Sequence, residues 1–258
     1  MRIAIIGCGK MGGWIAGKLS AEHEIAVYDL DSSKAGRIAN AKHLRGLAEL
    51  TDFKPELLIN AVSLQHTLDA FGEVAMHLPP ECVICDLASI KGKLPEYYKE
   101  CGFRFVSVHP MFGPTFATMD SLREENAIVI KESDNAIAEF FEKFFGSLGV
   151  KVHHYTFAEH DRMMAYSLTT PFVTSLVFAS SVDDTVVPGT TFARHRKIAK
   201  GLLSEDDWLL CEVLFNPESL PQLGRITAKL EYLKHIIKGK DYEEARKFLA
   251  KLRKNMGE

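Results

Sequence analysis

Seven short apolar runs alternate with stretches of helical spacing over residues 2–155, and there the alternation stops. The runs are Arg2–Ile6, Ile25–Tyr28, Leu57–Val62, Cys82–Leu87, Phe103–Val108, Ala127–Ile130 and Lys151–Tyr155. Between them, Met11–Leu19, Gln65–His77, Gly92–Glu100 and Asn135–Leu148 place apolar residues at helical intervals. Near-continuous apolar strands need both faces covered. Interleaved with helices, they predict a doubly wound α/β sheet of parallel strands. From Ala158 onward only helical spacing remains. The expected helices are Asp161–Asp184, Phe192–Leu203, Glu205–Phe215, Pro221–Lys238 and Tyr242–Lys254, with turns at Pro188-Gly189 and Asn216-Pro217. Two units are therefore expected, an α/β domain over 1–156 and an all-α domain over 157–258.

The first run leads into Gly7-Cys8-Gly9-Lys10-Met11-Gly12, a G-x-G-x-x-G turn that opens a helix. In that setting the glycines have separate tasks. Gly7 permits the tight turn, Gly9 lets backbone approach a pyrophosphate, and Gly12 lets the helix close on the sheet. The free N–H groups of the first turn, around Lys10 and Met11, then face the phosphates. The second run ends at Asp29, where a carboxylate accepts hydrogen bonds from ribose hydroxyls and repels a 2′-phosphate. The turn thus predicts a Rossmann-type dinucleotide domain that takes NAD in preference to NADP, although Lys34 and Arg37 are near enough to bind a phosphate. Val62 and Ser63, closing the third run, are expected to add to the cofactor site.

Composition removes several function classes. A formal net charge of −3 gives no whole-chain cationic field for nucleic acid. No apolar run is expected to reach the roughly 18 to 20 residues that cross a bilayer. The start, MRIAIIG, is too short and too soon broken by glycine to read as a signal peptide, so a cytoplasmic location is the expectation. Five cysteines without a secretory leader suggest free thiols. Cys82 and Cys85 have C-x-x-C spacing but sit in an apolar run, where small thiols pack. No metal site is expected, and His153-His154 on one strand would point to opposite faces.

Two later segments carry chemistry: Asp86-Leu87-Ala88-Ser89-Ile90-Lys91-Gly92-Lys93-Leu94, and His109-Pro110-Met111-Phe112-Gly113-Pro114. Both follow strands, and ligands of open α/β sheets bind outside the strands' carboxyl ends. Ser89 and His109 are thereby expected at one cleft. With the glycine turn and with Glu159-His160-Asp161 opening the helical part, these segments give a chain that resembles the prephenate/arogenate dehydrogenase family over essentially its whole length. It leaves no helical segment over for a fused chorismate mutase.

The resemblance implies oxidative decarboxylation of prephenate to 4-hydroxyphenylpyruvate, with NAD taking the hydride and no metal needed. His109 matches the family's catalytic histidine, a base suited by its ordinary pKa near 6.5. Ser89 matches a serine that orients the hydroxyl, the histidine or the nicotinamide; as a residue alone it also reads as a helix N-cap. His160 and Asp161 are expected to cap the first long helix near the cleft. The dianionic substrate needs cations, and the family's carboxylate-binding arginine falls in Gly189–Ala199, at Lys197. Thr191, Arg194, Arg196 and Lys197 are the candidates. Arg194 and Lys197 share one helical face, opposite an apolar face of His195, Ile198, Ala199 and Leu202. Lysine is a poorer bidentate clamp than arginine, so the choice among them stays open. Phe172 stands where some relatives carry a histidine, which leaves arogenate as the alternative substrate. The helix rich in apolar residues all round, Ala165–Ala179, predicts a homodimer. A β-hydroxyacid dehydrogenase or imine reductase is a second reading, weakened because Asp161–Asp184 holds no lysine. An NAD-sensing scaffold is a third, and it would need neither His109 nor Ser89.

Overall fold

The computed structural model describes residues 1–113, 122–183 and 185–257. Pro114 of the second chemical segment and Asp184 lie outside the described residues. Eight strands form one sheet: β1 Arg2–Ile6, β2 Glu24–Tyr28, β3 Lys42–His43, β4 Leu57–Asn60, β5 Val83–Asp86, β6 Arg104–Pro110, β7 Asn126–Ile130 and β8 Lys151–Tyr155. Their spatial order is β3-β2-β1-β4-β5-β6-β7-β8. The first switch, from β1 outward to β2 and to β4, puts a crevice at the carboxyl end of β1, where ligands of such sheets bind.

The expected strands are present, with one correction. All neighbours run parallel except β6 and β7, which are antiparallel. A run such as Ala127–Ile130 is apolar on both faces whichever way it points, so its spacing carries no direction. The small edge strand β3 is exposed and has no apolar signature.

Helices α1 Lys10–Leu19, α2 Ser32–Ala35, α3 Leu50–Phe53, α4 Thr67–Ala75, α5 Leu94–Glu100 and α6 Asn135–Ser147 flank the sheet. Two apolar layers result. One joins Ile3, Ile5, Ile15 and Val27 to Val106, Phe141 and Phe145. The other joins Ala4, Leu58, Ile84 and Ile128 to Phe71, Tyr98 and Phe157. Cys82 and Cys85 are buried in this framework. Burial pushes the Cys82 thiol up to about 12 and that of Cys85 well above its usual value, so both pack as apolar groups.

The helical region comprises α7 Phe157–Ser167, α8 Thr169–Ser180, α9 Thr190–Leu202, α10 Asp207–Phe215, α11 Ser219–Gly239 and α12 Tyr242–Asn255. The single helix expected over Asp161–Asp184 is two, because Pro171 has no N–H to offer the Ser167 carbonyl. The cap of α7 is also not where it was expected. Thr156 accepts from the Glu159 N–H, and Glu159 accepts in return from the Thr156 N–H. His160 and Asp161 are left free for other work.

The expectation that no apolar stretch reaches membrane-spanning length needs correction. Phe157–Ser180 is long and apolar enough by composition, and its last eighteen residues contain no Asp, Glu, Lys or Arg. Its hydroxyl residues and Pro171 mask this when it is read residue by residue. Only 17% of that window is buried.

Candidate active site

The glycine turn is built as its sequence requires. Gly7 has φ +87°, and a Cβ there would sit 2.6 Å from the backbone of Ala61 and Val62. A Cβ on Gly12 would strike the Gly7 carbonyl oxygen and come within 3.0 Å of the Ala61 methyl. A Cβ on Gly9 would meet nothing within 4 Å, so that backbone faces open space. Gly9 is the N-cap of α1 and no side chain caps it. The first-turn N–H groups therefore remain available to an anion.

A cleft of about 530 Å³ opens over this turn. Gly7, Gly9, Asp29, Val62 and Ser63 line it, while Lys10, Met11 and Gly12 do not. Gly12 is buried under the turn and Met11 packs on the core, which suits a supporting role. Asp29 Oδ2 accepts from the Cys8 N–H at 2.6 Å, and its Oδ1 accepts from the Asp31 N–H at 2.8 Å. These bonds fix the carboxylate at the cleft rim. The loop bearing Val62 and Ser63 is held from below by Asn60, whose amide donates to the Thr67 carbonyl at 2.9 Å and accepts from the Val62 N–H at 3.3 Å. The rest of the lining was not foreseen: Asp31, Asp69 and Glu73 join Asp29 in the cleft, with Lys34 and His66. Nothing in their spacing announces it, because Asp29 and Asp31 follow β2 while Asp69 and Glu73 come from α4.

His109 and Ser89 lie beyond the lining of this cleft, at the ends of β6 and β5. What brings their segments together is Lys91. Its side chain is fully buried; Nζ lies 2.7 Å from Asp86 Oδ1 and donates to the Val108 carbonyl at 2.9 Å. Asp86 also accepts from the Tyr98 hydroxyl at 2.7 Å and from the Ala88 N–H at 3.0 Å. One ammonium thus ties the loop carrying Ser89 to the residue preceding His109. Ser89 is half-buried in that loop and does not cap α5, whose N-cap is Lys93.

His109 is 6% exposed. Its Nδ1 lies 3.0 Å from His160 Nε2, and His160 Nδ1 lies 3.0 Å from Asp161 Oδ1. Burial above all, with the Lys91 charge adding to it, holds the His109 ring well below the usual imidazole pKa. The ring is therefore neutral and can accept a proton. The pairing with His160 is invisible to sequence spacing, because 51 residues separate the two.

The basic candidates are on α9, which packs on α8 through Phe192 and His195 against Phe178. Thr191, Arg194 and Lys197 are exposed, and Arg196 is half-buried. The buried residues of α9 are Ala199 and Leu202. Ile198, expected on the inner face, is 54% exposed. Phe172 of α8 packs against the core layer that includes Phe157 and Met164. His153 bonds Asn126 and His154 faces Glu142, on two different elements.

Comparison with known proteins bears on the family and the fold. Residues 16–153, more than half of the chain, match the family model described as prephenate dehydrogenase, nucleotide-binding domain. A probable arogenate/prephenate dehydrogenase of Methanocaldococcus jannaschii is 24% identical over 228 residues, 79% of this chain. The chain spans 48% of that relative's length. Among solved structures, prephenate dehydrogenase from Aquifex aeolicus in complex with hydroxyphenyl propionate and NAD+ superposes with a TM-score of 0.84 at 20% identity, over 100% of this chain and 98% of that one. Synechocystis arogenate dehydrogenase gives 0.79 at 18% identity, over 100% and 99%. The chain belongs to the prephenate dehydrogenase family, whose nucleotide-binding domain it carries.

Proposed function

We propose that this protein is an NAD-dependent dehydrogenase that oxidatively decarboxylates prephenate to 4-hydroxyphenylpyruvate. The observation that carries the reading is a neutral, buried His109 at the carboxyl end of β6, joined through Lys91 to the Ser89 loop. A bare imidazole nitrogen accepts the proton of the ring hydroxyl as that carbon is oxidised, within hydrogen-bond reach of the reacting group. Bound NAD supplies the hydride acceptor, and loss of the ring carboxylate as carbon dioxide restores aromaticity. Ser89, half-buried in its loop, orients the hydroxyl, the histidine or the nicotinamide. Arg194, Arg196 and Lys197 of α9 offer the cations that a dianionic substrate needs, and Thr191 offers a hydroxyl beside them.

The dinucleotide site fits the cofactor. Gly9 leaves room where pyrophosphate oxygens approach, and the uncapped start of α1 provides donors. NAD is favoured over NADP because four carboxylates, Asp29, Asp31, Asp69 and Glu73, face one lysine in the cleft. A 2′-phosphate there meets repulsion. Division into a dinucleotide-binding unit over 1–156 and a substrate unit over 157–258 follows the change from sheet to helices.

The same reading covers the apolar helical surface with a second copy of the chain. Val177, Trp208, Phe215, Leu220, Ile237 and Tyr242 are each about half exposed or more. Single surface hydrophobes mean little, but a set this large on one all-helical region marks an interface. A bilayer is the poorer partner for Phe157–Ser180: Thr169 shares a 2.6 Å hydrogen bond with Ser219, and Gln222 donates to Thr170, so this segment is docked on α11 by polar groups. These features support a homodimer. Its mass in light scattering is twice 28.8 kDa; a single-chain mass would reject it.

The deciding experiment is a spectrophotometric assay with prephenate and arogenate, each with NAD and NADP. Turnover of prephenate with NAD is expected, and His109→Asn is expected to lower it at least about a hundredfold with dinucleotide affinity kept. Faster turnover of arogenate would move the assignment to that substrate. Dinucleotide binding without turnover of either would sink the enzyme reading.

A further inference from the structure

The proton arrangement around His109 is dictated by its neighbours. His160 Nδ1 lies 3.0 Å from Asp161 Oδ1, and a carboxylate oxygen can only accept. That nitrogen of His160 therefore carries hydrogen. Burial keeps the His160 ring neutral, pulling it below the usual imidazole value. A neutral ring has one N–H, so its Nε2 is a lone pair. That lone pair lies 3.0 Å from His109 Nδ1, which must then be the donor. In neutral His109 the remaining nitrogen, Nε2, is left without hydrogen.

We propose that His160 and Asp161 are positioning residues that lock His109 in the Nδ1–H tautomer, so that Nε2 is presented bare to the substrate hydroxyl. This rests on the reading of His109 as the base. The local structure holds every member in place. His160 is fully buried, and its ring meets that of His109 edge-on at 5.2 Å. The Thr156–Glu159 capping box fixes the first turn of α7, and the His160 N–H bonds the Thr156 carbonyl at 2.8 Å. Asp161 Oδ1 also faces the Lys91 N–H at 3.4 Å, and the Asp161 carbonyl faces the Asn216 amide at 3.4 Å. The nearby Lys91 ammonium is already engaged by Asp86. It does not compete for Asp161.

Two measurements test this. In histidine-¹⁵N-labelled protein with NAD, long-range proton–nitrogen spectra report which ring nitrogen carries hydrogen, with His109→Asn assigning the signals. His109 is expected to show a protonated Nδ1 and a bare Nε2. Two variants then separate the acceptor from the packing. His160→Gln retains an oxygen able to accept from His109, and His160→Phe fills the space without one. The Phe variant is expected to lose at least about tenfold in kcat with little change in KM, and to show mixed His109 tautomers, while Gln recovers most of the loss. A protonated His109 Nε2 in the parent protein overturns the inference whether or not the enzyme turns over. Equal kcat in the two variants overturns it as well. The expected spectrum without turnover of any cyclohexadienyl acid counts instead against the functional reading.

Discussion

Replacing Lys91 with Met tests whether the site is held together from beneath. The substitution keeps the length of the stem and removes the charge. Asp86, fully buried, would then retain only the Tyr98 hydroxyl and the Ala88 N–H as partners. The Val108 carbonyl would lose the Lys91 donor. Breaking a buried pair on one side costs about 3 to 5 kcal/mol, because the remaining charge stays desolvated. The abandoned carbonyl adds about 1 kcal/mol. Against a typical total of about 5 to 15 kcal/mol, that is a large fraction. At about 2 to 4 °C per kcal/mol for a chain of this size, Tm falls by roughly 8 to 24 °C. Adding Asp86→Asn should return at least about 2 kcal/mol, since the uncompensated charge is gone. Urea unfolding followed by far-UV circular dichroism measures all three proteins. A Lys91→Met loss under about 1 kcal/mol, or no recovery in the double variant, would refute the reasoning. In protein that stays folded, the damage should appear in kcat more than in the NAD KM, because Lys91 lines none of the dinucleotide cleft.

Asp29→Asn removes the charge that faces a 2′-phosphate. The ratio of kcat/KM for NADP over NAD should rise at least about tenfold, one charge-assisted hydrogen bond's worth; an unchanged ratio would show that Asp29 does not select the cofactor. The pH dependence of stability follows from the two buried rings. Folding lowers the pKa of both His109 and His160, chiefly by burial. The unfolded chain therefore takes up protons first as pH falls, so stability is full above the unfolded value near 6.5 and declines below it. Between pH 7.5 and 5.5 the parent should lose roughly 1 to 3 kcal/mol more than a His109→Gln/His160→Gln variant, measured from urea midpoints. A parallel decline in both would mean the rings are solvated. The acid limb of kcat/KM should likewise fall well under 6.5, because His109 resists protonation.

Much of the fold is legible because burial on both faces leaves uninterrupted runs such as Leu57–Ile59 and Ile3–Ile6, and their short length and alternation with helical spacing mark them as strands of a covered sheet. The glycine turn is legible for a similar reason: Gly7 and Gly12 admit no side chain, so the sequence has no freedom there. Direction is not legible in β7, whose apolar pattern is the same either way. The kink at Leu168 was available in principle from Pro171, but proline within a helical pattern signals either an end or a bend. Lys91 was hidden for a physical reason. A lysine in a sequence stands for a solvated charge until a partner is known, and Asp86 five residues earlier acquires that meaning only when the strand end folds back. His160 was hidden by distance along the chain. On α9 the buried face is narrower than its apolar spacing suggests: Ala199 and Leu202 are buried while Ile198 is exposed, because spacing shows which residues share a face and not how much of that face is covered.

The exposed strand end explains why the candidate base is where it is. β5 and β6 pair in parallel only as far as Asp86 and Ser107. β6 continues to Pro110, three residues past that last pair, and there the antiparallel β7 supports it, with His109 opposite Ile128 and Pro110 opposite Ala127. The strand can project past its parallel neighbour because β7 satisfies its backbone on the other side. His109 thereby stands past the edge of the sheet that carries the dinucleotide turn, yet its ring is enclosed by α7. The gap left on the β5 side is where the Lys91 amine donates to the Val108 carbonyl. Lys91 and β7 thus do one task from two sides: they carry a short overhang of strand into the space between sheet and helices. A base placed on a loop there would need other means to hold its ring; a base on this overhang inherits the rigidity of the sheet.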